Sequence, residues 1–148
     1  MTTNHPEAGP LVGFLILQLI RELGLEPDAI GGMESGAIPI SSHVQAAAYY
    51  HQLGIKTFYV RKEVKGHGTK KRVEGWLEEG AGVVIVEDVS TTGASAMAAI
   101  EAVVAEKGAK VLAVISILSR QEGAEELYAE KGIPFYPLFV RSEFGEGQ

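Results

Sequence analysis

The sequence predicts an α/β fold in which a mostly parallel, twisted sheet has helices on both of its faces. Strand-like apolar runs alternate with longer helical segments along the chain, and glycines stand where most of the helical segments end. This alternation is typical of βαβ units. With 148 residues, 46% hydrophobic and 22% charged, we expect a single soluble domain over residues 1–148.

Four segments have the composition and boundaries of helices. Pro10 is well placed in the first turn of the first segment, and Gly24 is suited to end it. The polar residues Gln18, Arg21 and Glu22 of this segment fall on one narrow face, so we expect most of the helix to be covered. The predicted helices are residues 10–24, 38–53, about 95–107 and 123–131.

Five segments are predicted to be strands, at residues 28–32, 56–61, 82–87, 110–118 and 134–140. The third, GVVIVE, is a continuous apolar run of the kind found in a parallel strand that is buried on both faces. Residues 62–74 are predicted to form a long polar loop. Since ligands of such sheets bind beyond the carboxyl ends of the strands, residues 31–36, 61–72 and 87–95 are the expected binding segments.

The charge of the chain is unevenly distributed. The formal net charge of -6 argues against a general nucleic-acid binder. Residues 61–72 (RKEVKGHGTKKR) nevertheless have a local balance of +5, which leaves -11 for the remainder. A basic loop on an acidic body indicates a compact anionic ligand rather than a long polyanion.

Cysteine usage and the N-terminal pattern indicate a cytoplasmic protein without a membrane partner. The absence of cysteine excludes disulfides and Cys-ligated metals. Residues 11–20 are apolar, but they are too few to span a bilayer, and no basic segment with a cleavage site precedes them.

The strongest indication of a site is VVIVEDVSTTGASAM, residues 83–97. The predicted strand ends in two adjacent carboxylates, Glu87 and Asp88, and a hydroxyl-rich turn then leads into a helix. The amides of such a turn and the positive end of the helix dipole favour a phosphate. Carboxylates could accept hydrogen bonds from sugar hydroxyls or hold a hydrated metal ion, so together these groups suit a phosphorylated ribose. The alternative is that Ser95 merely caps the helix and the acidic pair lies in a solvated loop.

This run resembles the donor-binding motif of the type I phosphoribosyltransferases. The sequence has no GxxxxGK[ST] motif, which argues against a P-loop NTPase, and no GxGxxG that follows a strand.

The basic segment narrows the resemblance. FYVRKEVKGHGTKKRVEG, residues 58–75, is similar to the flexible loop of orotate phosphoribosyltransferases, whose pattern V-R-K-x-x-K-x-H-G is matched by Arg61, Lys62, Lys65 and His67. Such a loop concentrates cations where a pyrophosphate leaving group must be stabilised. A solvated basic loop is the alternative.

Two further segments resemble the same family. GGMESGAIPI, residues 31–40, is similar to its pyrophosphate-binding turn, which would place Glu34, Ser35 and Gly36 nearest the ligand. In LSRQEG, residues 118–123, Arg120 corresponds to the arginine that pairs with the orotate carboxylate. A guanidinium can hold a carboxylate through two parallel bonds, although Arg120 could also be an ordinary surface charge.

The resemblance implies a Mg²⁺-dependent pentosyltransferase. Orotate and phosphoribosyl pyrophosphate would give orotidine monophosphate and pyrophosphate, a step of de novo pyrimidine (UMP) synthesis. The donor would carry the Mg²⁺, without a dedicated metal site in the protein. In the family the basic loop acts in the site of the neighbouring subunit, which implies a homodimer.

The resemblance also assigns roles to residues. It implies that Lys65, His67 and Asp88 are catalytic and that Thr91 and Arg120 bind orotate. The donor would be bound by Glu34, Ser35, Gly36, Arg61, Lys62, Lys65, His67, Glu87, Asp88, Val89, Ser90, Thr91, Thr92, Gly93, Ala94 and Ser95.

The resemblance covers about residues 5–144. Members of the family have further chain upstream that forms a small hood over the base, and we expect this sequence to lack that hood. Two alternatives stay open, a phosphoribosyltransferase for another base and a non-catalytic protein that binds phosphoribosyl pyrophosphate or a nucleotide as a regulator.

Overall fold

The computed structural model describes residues 2–64, 66, 68 and 70–145, and within them the chain forms one sheet with helices on both faces. The strands are β1 (Ala29–Met33), β2 (Lys56–Val60), β3 (Val73–Gly75), β4 (Gly82–Ser90), β5 (Lys110–Ser119) and β6 (Phe135–Val140). The helices are α1 (Ala8–Glu22), α2 (Ala37–Tyr50), α3 (Ala94–Lys107) and α4 (Ala124–Glu130), with 3-10 turns at Thr2–Asn4 and Arg141–Phe144. The strand order is β3-β2-β1-β4-β5-β6, and β3 alone is antiparallel to its neighbour. The predicted fold class is confirmed.

The sheet separates two apolar clusters. Helices α1 and α2 pack on one face, and α3 and α4 pack on the other. The side chains of β4 alternate between these clusters: Val83 and Ile85 belong to the α3/α4 side, and Val84 and Val86 belong to the α1/α2 side. A strand that is buried on both faces has no polar positions to alternate with its apolar ones, which explains the continuous apolar run in the sequence.

Two predictions about the strands are wrong. Residues 73–75 form β3 instead of continuing the loop, because they pair with the free edge of β2. Three residues are too few to produce a recognisable alternation. The other error concerns β4, which ends at Ser90 rather than at Glu87 because its ladder with β5 continues to the pair Ser90–Ser119. The acidic pair therefore lies inside the strand.

Helix α1 is less covered than predicted. Its buried residues include Val12, Ile16 and Leu17, but Leu11 is 58% exposed and Phe14 is 46% exposed. One side of α1 packs on α2 and the sheet, and the opposite side has no neighbour among the residues that the structure describes. No helix in the described part of the chain is long and apolar enough to cross a membrane.

Candidate active site

A cleft of about 240 Å³ opens at the carboxyl ends of β1 and β4, where the topology predicts a ligand site. It brings together residues of all three expected binding segments. Its lining residues are Met33, Glu34, Ser35, Gly36, Ala37, Lys62, Glu87, Asp88, Val89 and Ser95. The acidic pair, the start of α3, the turn before α2 and one cation of the basic segment therefore share one space.

The two carboxylates of the acidic pair reach towards opposite faces of the sheet. Because successive side chains of a strand alternate, Glu87 follows Val83 and Ile85 towards α4, where its Oε1 accepts a hydrogen bond of 3.1 Å from the Tyr128 hydroxyl. Asp88 lies on the α2 side, where a Cβ at Gly36 would come within 3.1 Å of its Oδ1. Glu87 therefore contacts α4, and Asp88 lies beside the turn that precedes α2.

Burial raises the pKa of the Glu87 carboxyl, and the charge of Asp88 adds to the increase. The Ser90 and Tyr128 hydroxyls act in the opposite direction. Tyr128 meets the hydrogen-bond geometry, whereas the buried Ser90 hydroxyl lies nearby without a bond of good geometry to any residue that the structure describes. We therefore regard Tyr128 as the group that stabilises the charged form of Glu87.

Residues 91–93 connect β4 to α3, and together with Ala94 and Ser95, the first two residues of the helix, they form the donor turn. Gly93, with a φ of 85°, is the N-cap of α3, and the Thr92 hydroxyl oxygen accepts the Ala94 N–H at 3.4 Å. This excludes the alternative that Ser95 is the N-cap. The first-turn N–H groups of α3 have no carbonyl partners within the helix and so suit an anion. Two backbone hydrogen bonds from the region after β5 fix the start of this turn. The Arg120 N–H donates to the Ser90 carbonyl at 2.9 Å, and the Ala124 N–H donates to the Thr91 carbonyl at 3.2 Å.

The turn at residues 34–36 links the cleft to the basic segment. A cis peptide bond joins Glu34 and Ser35. The Glu34 N–H donates to the carbonyl of Val60 at 2.9 Å, and its Oε1 accepts the Lys62 N–H at 2.9 Å. The expected pyrophosphate turn therefore directly contacts the beginning of the expected basic loop.

The two ends of the basic segment are fixed at the edge of the sheet. The N–H of Arg61 donates to the carbonyl of Arg72 at 2.9 Å, and the Arg61 guanidinium pairs with Glu74 at 3.0 Å. Glu106 of α3 accepts the N–H groups of Arg72 (2.8 Å) and Val73 (3.1 Å) through separate oxygens. These contacts anchor the segment at its base. Lys65 and His67, the two residues of this segment that were predicted to be catalytic, lie outside the described residues.

Arg120 follows β5 and lies beside the donor turn without lining the cleft. Its side chain is 48% exposed, and its Nε pairs with Glu122 Oε1 at 3.1 Å. Arg141 shares this carboxylate at 3.7 Å. Thr91, the other residue expected to contact orotate, is half-buried.

Tyr128 and Glu106 are absent from the residues singled out by sequence. Tyr128 is 41 positions from Glu87, and Glu106 is 34 positions from Arg72, so no local pattern connects them. The sequence around Tyr128 shows only an aromatic residue in a short helix that follows Gly123, and this pattern does not indicate a contact with Glu87.

The donor set of the cleft suits a magnesium ion that arrives with its ligand. Within residues 2–64, 66, 68 and 70–145, no group of three or more His, Asp or Glu side chains could hold a metal ion. Glu87 and Asp88 offer two adjacent carboxylates. Mg²⁺ commonly uses one or two carboxylates and takes its other ligands from water and substrate phosphates.

Comparisons with known proteins agree with this geometry. The Phosphoribosyl transferase domain family matches residues 2–134. The orotate phosphoribosyltransferase of Aquifex aeolicus (strain VF5) is 42% identical over 141 residues, which cover 95% of this chain and 75% of that relative. The orotate phosphoribosyltransferase of Streptomyces coelicolor is 43% identical over 144 residues, or 97% of this chain and 78% of the relative. A crystal structure of Mycobacterium tuberculosis H37Rv orotate phosphoribosyltransferase in complex with 5-phospho-alpha-D-ribosyl 1-diphosphate superposes with a TM-score of 0.82 at 30% identity, covering 98% of this chain and 80% of that one.

Proposed function

The chain belongs to the phosphoribosyl transferase domain family and, within it, to the orotate phosphoribosyltransferases; from this membership we propose how its cleft performs the transfer. The phosphoribosyl group passes from phosphoribosyl pyrophosphate to orotate, which gives orotidine monophosphate and pyrophosphate for UMP synthesis. The observation that supports this most directly is that twin carboxylates and the open N-terminus of α3 border one cleft at the end of β4.

The turn at residues 91–95 binds the 5′-phosphate of the donor. The first-turn N–H groups of α3 point out of the helix, and the hydroxyls of the turn offer further donors. The backbone of Val89, Ser90 and Ala94 completes this part of the donor site. Gly93 allows the positive φ of this N-cap, and its missing Cβ lets the turn pack closely against Leu127 and Tyr128 of α4.

Glu87 and Asp88 accept hydrogen bonds from the ribose 2′ and 3′ hydroxyls. A carboxylate accepts such bonds best when it is ionised, and burial, which raises the pKa of Glu87, opposes that state. Asp88 is the catalytic member of the pair, because it lies beside the turn at Gly36 where the breaking bond would be. Magnesium bound with the donor would be held by these two carboxylates and would neutralise pyrophosphate charge.

The leaving pyrophosphate is stabilised from two sides. Backbone N–H groups of residues 34–36 meet it on one side, and Lys62 borders the same cleft. The basic segment supplies the remaining cations, Arg61, Lys65 and His67. As the bond between C1 of the ribose and the pyrophosphate oxygen breaks, the ring gains oxocarbenium character and negative charge grows on the pyrophosphate. Preorganised cations lower the energy of that state.

Orotate is oriented by Arg120, with Thr91 as a second contact. The Arg120 guanidinium is half-exposed and paired with Glu122, so it can exchange that partner for the orotate carboxylate without a change in backbone position. A guanidinium matches a carboxylate with two parallel hydrogen bonds, which a neutral base would not use.

Three broader features belong to the same proposal. The chain acts as one domain, a reading supported by two apolar clusters that share a single sheet. It forms a homodimer in which Lys65 and His67 act in the partner's site. It works in the cytoplasm, which accords with a sequence that has no cysteine.

The function is tested by following orotate absorbance in the ultraviolet with phosphoribosyl pyrophosphate and Mg²⁺ present. We expect orotate to be consumed, and uracil, adenine and guanine to be left unchanged in parallel reactions. Turnover of one of those bases instead of orotate would support a transferase for another base. Donor binding without turnover of any base would favour a regulator.

The role of Arg120 is tested with a matched pair of arginine variants. Both Arg120 and Arg141 pair with Glu122, so each substitution by alanine removes one ion pair with the same carboxylate. We expect Arg120→Ala to raise the KM for orotate by roughly 10–100-fold, the range for a lost hydrogen bond to a charged group, and to leave the KM for the donor unchanged. Arg141→Ala should change neither, and equal effects of the two variants would contradict the assignment.

A further inference from the structure

We propose that Tyr128 is a positioning residue that orients Glu87 for the ribose hydroxyls and supports the donor turn at Gly93 from the core. This inference rests on the proposed role of Glu87 in donor binding. Tyr128 is fully buried in α4 and does not line the cleft, so it would act on the donor through other residues.

Ring packing and one hydrogen bond hold the Tyr128 hydroxyl in place. Its ring packs against Phe135 with centroids 4.9 Å apart and an interplanar angle of 45°, which restricts the rotation of the side chain. Among the described residues, Glu87 is the only hydrogen-bond partner found for the hydroxyl. A buried hydroxyl is costly unless it is bonded, so an apolar side chain would suit this core position better if the bond to Glu87 had no purpose.

The same ring also supports the donor turn. A Cβ at Gly93 would lie 3.2 Å from both Cζ and the hydroxyl oxygen of Tyr128. The tyrosine tip therefore lies directly beneath the N-cap of α3 while its hydroxyl bonds to the acidic pair. One buried side chain thus connects the part of the site that would bind the ribose with the part that would bind the 5′-phosphate.

Tyr128→Phe tests the inference because it keeps the ring and removes only the hydroxyl. We expect the KM for phosphoribosyl pyrophosphate to rise about tenfold, with a much smaller change in kcat. Tyr136→Phe is the control: Tyr136 is half-buried on β6, packs on the α1/α2 cluster, and its hydroxyl makes no hydrogen bond that the described residues show.

A double-substitution experiment separates positioning from simple core packing. In a Glu87→Ala background, which removes the acceptor of the Tyr128 hydroxyl, Tyr128→Phe should add less than about twofold to the donor KM, because the effect passes through the carboxylate. If Tyr128→Phe does not fold, Tyr128→Met, which keeps an adaptable apolar side chain, takes its place.

The outcomes are distinct. An unchanged donor KM in Tyr128→Phe would overturn the inference, as would a full tenfold effect in the Glu87→Ala background. A wild-type protein that consumes no orotate would instead overturn the proposed function.

Discussion

Replacing Gly93 by alanine tests the donor turn most directly, because two separate penalties fall on one residue. The φ of Gly93 is 85°, a left-handed conformation that costs a residue with a Cβ roughly 1–2 kcal/mol. The new methyl group would also lie 3.1 Å from Leu127 Cδ2 and 3.2 Å from the Tyr128 hydroxyl, so α4 must shift by a few tenths of an ångström. Since α4 packs against the acidic strand through Tyr128, this shift would reach Glu87 as well.

The expected result is a free energy of unfolding lowered by about 1–3 kcal/mol, and a thermal midpoint lowered by roughly 2–4 °C for each kcal/mol. The donor KM should rise about tenfold or more, because the N–H groups of the turn lose their alignment. Urea denaturation and initial rates at varied donor concentration measure the two effects.

Gly80→Ala is the matched control for this experiment. Gly80 has a φ of 71° with nothing within 4 Å of its added Cβ, and it precedes the opposite end of β4. The Gly80→Ala variant should lose only the stability that backbone strain costs, and its donor KM should equal that of the wild type. A Gly93→Ala protein with wild-type stability and donor KM would refute the reasoning, and equal donor KM changes in the two variants would show that the turn is not the phosphate site.

The remaining predictions concern the acidic pair and the basic segment. Asp88→Asn should lower kcat/KM by roughly 10–100-fold at an unchanged thermal midpoint, because an amide replaces a charged acceptor; a wild-type rate would exclude Asp88 from the site. Lys65→Ala should lower kcat by about 10²–10³, because the negative charge that grows on the pyrophosphate loses a preorganised cation. Full activity in this variant would exclude Lys65 from the mechanism. Glu106→Ala should speed tryptic cleavage within residues 61–72 about tenfold, because two backbone N–H groups lose their acceptor, whereas Glu101→Ala on the same helix should leave cleavage unchanged. The raised pKa of Glu87 means that the unfolded chain releases this proton first as the pH rises above 4.5, so the wild type loses stability until the folded protein has also released it. Glu87→Gln lacks this loss, so urea denaturation at a series of pH values should show its stability relative to the wild type increasing as the pH rises above 4.5.

Most of the fold could be predicted because its elements are long and regular. The four helices and five of the strands were predicted within a few residues of their observed ends. The apolar run of β4 indicated a strand with helices on both sides, and the observed alternation of Val83 to Val86 between two clusters confirms that interpretation. The location of the cleft followed from topology alone, because parallel strands end at one edge of the sheet.

What escaped prediction depends on contacts between distant residues. The short strand β3 exists because β2 offers an unpaired edge, and its own three residues show no pattern. Glu106 accepts the N–H groups of Arg72 and Val73, at the end of a segment that the sequence predicted as a basic loop without any partner for its backbone. The exposed side of α1 could not be foreseen, because helix periodicity shows which residues are apolar but not whether a neighbour covers them.

The error about the end of β4 explains why the acidic pair can serve two purposes. Had the strand ended before Glu87, both carboxylates would belong to a loop, and nothing would fix their relative directions. Because the ladder with β5 continues to Ser90, the alternation of the strand sends Glu87 towards Tyr128 and Asp88 towards Gly36. Two adjacent carboxylates would repel each other if both pointed into the same space, and this arrangement separates them while both still border the cleft. A carboxylate moved by one position would therefore face the opposite side of the sheet. Exchanging Val86 and Glu87 would place the carboxylate in the buried α1/α2 cluster and a valine beside Tyr128, so urea denaturation should show a lower free energy of unfolding although composition and charge are unchanged.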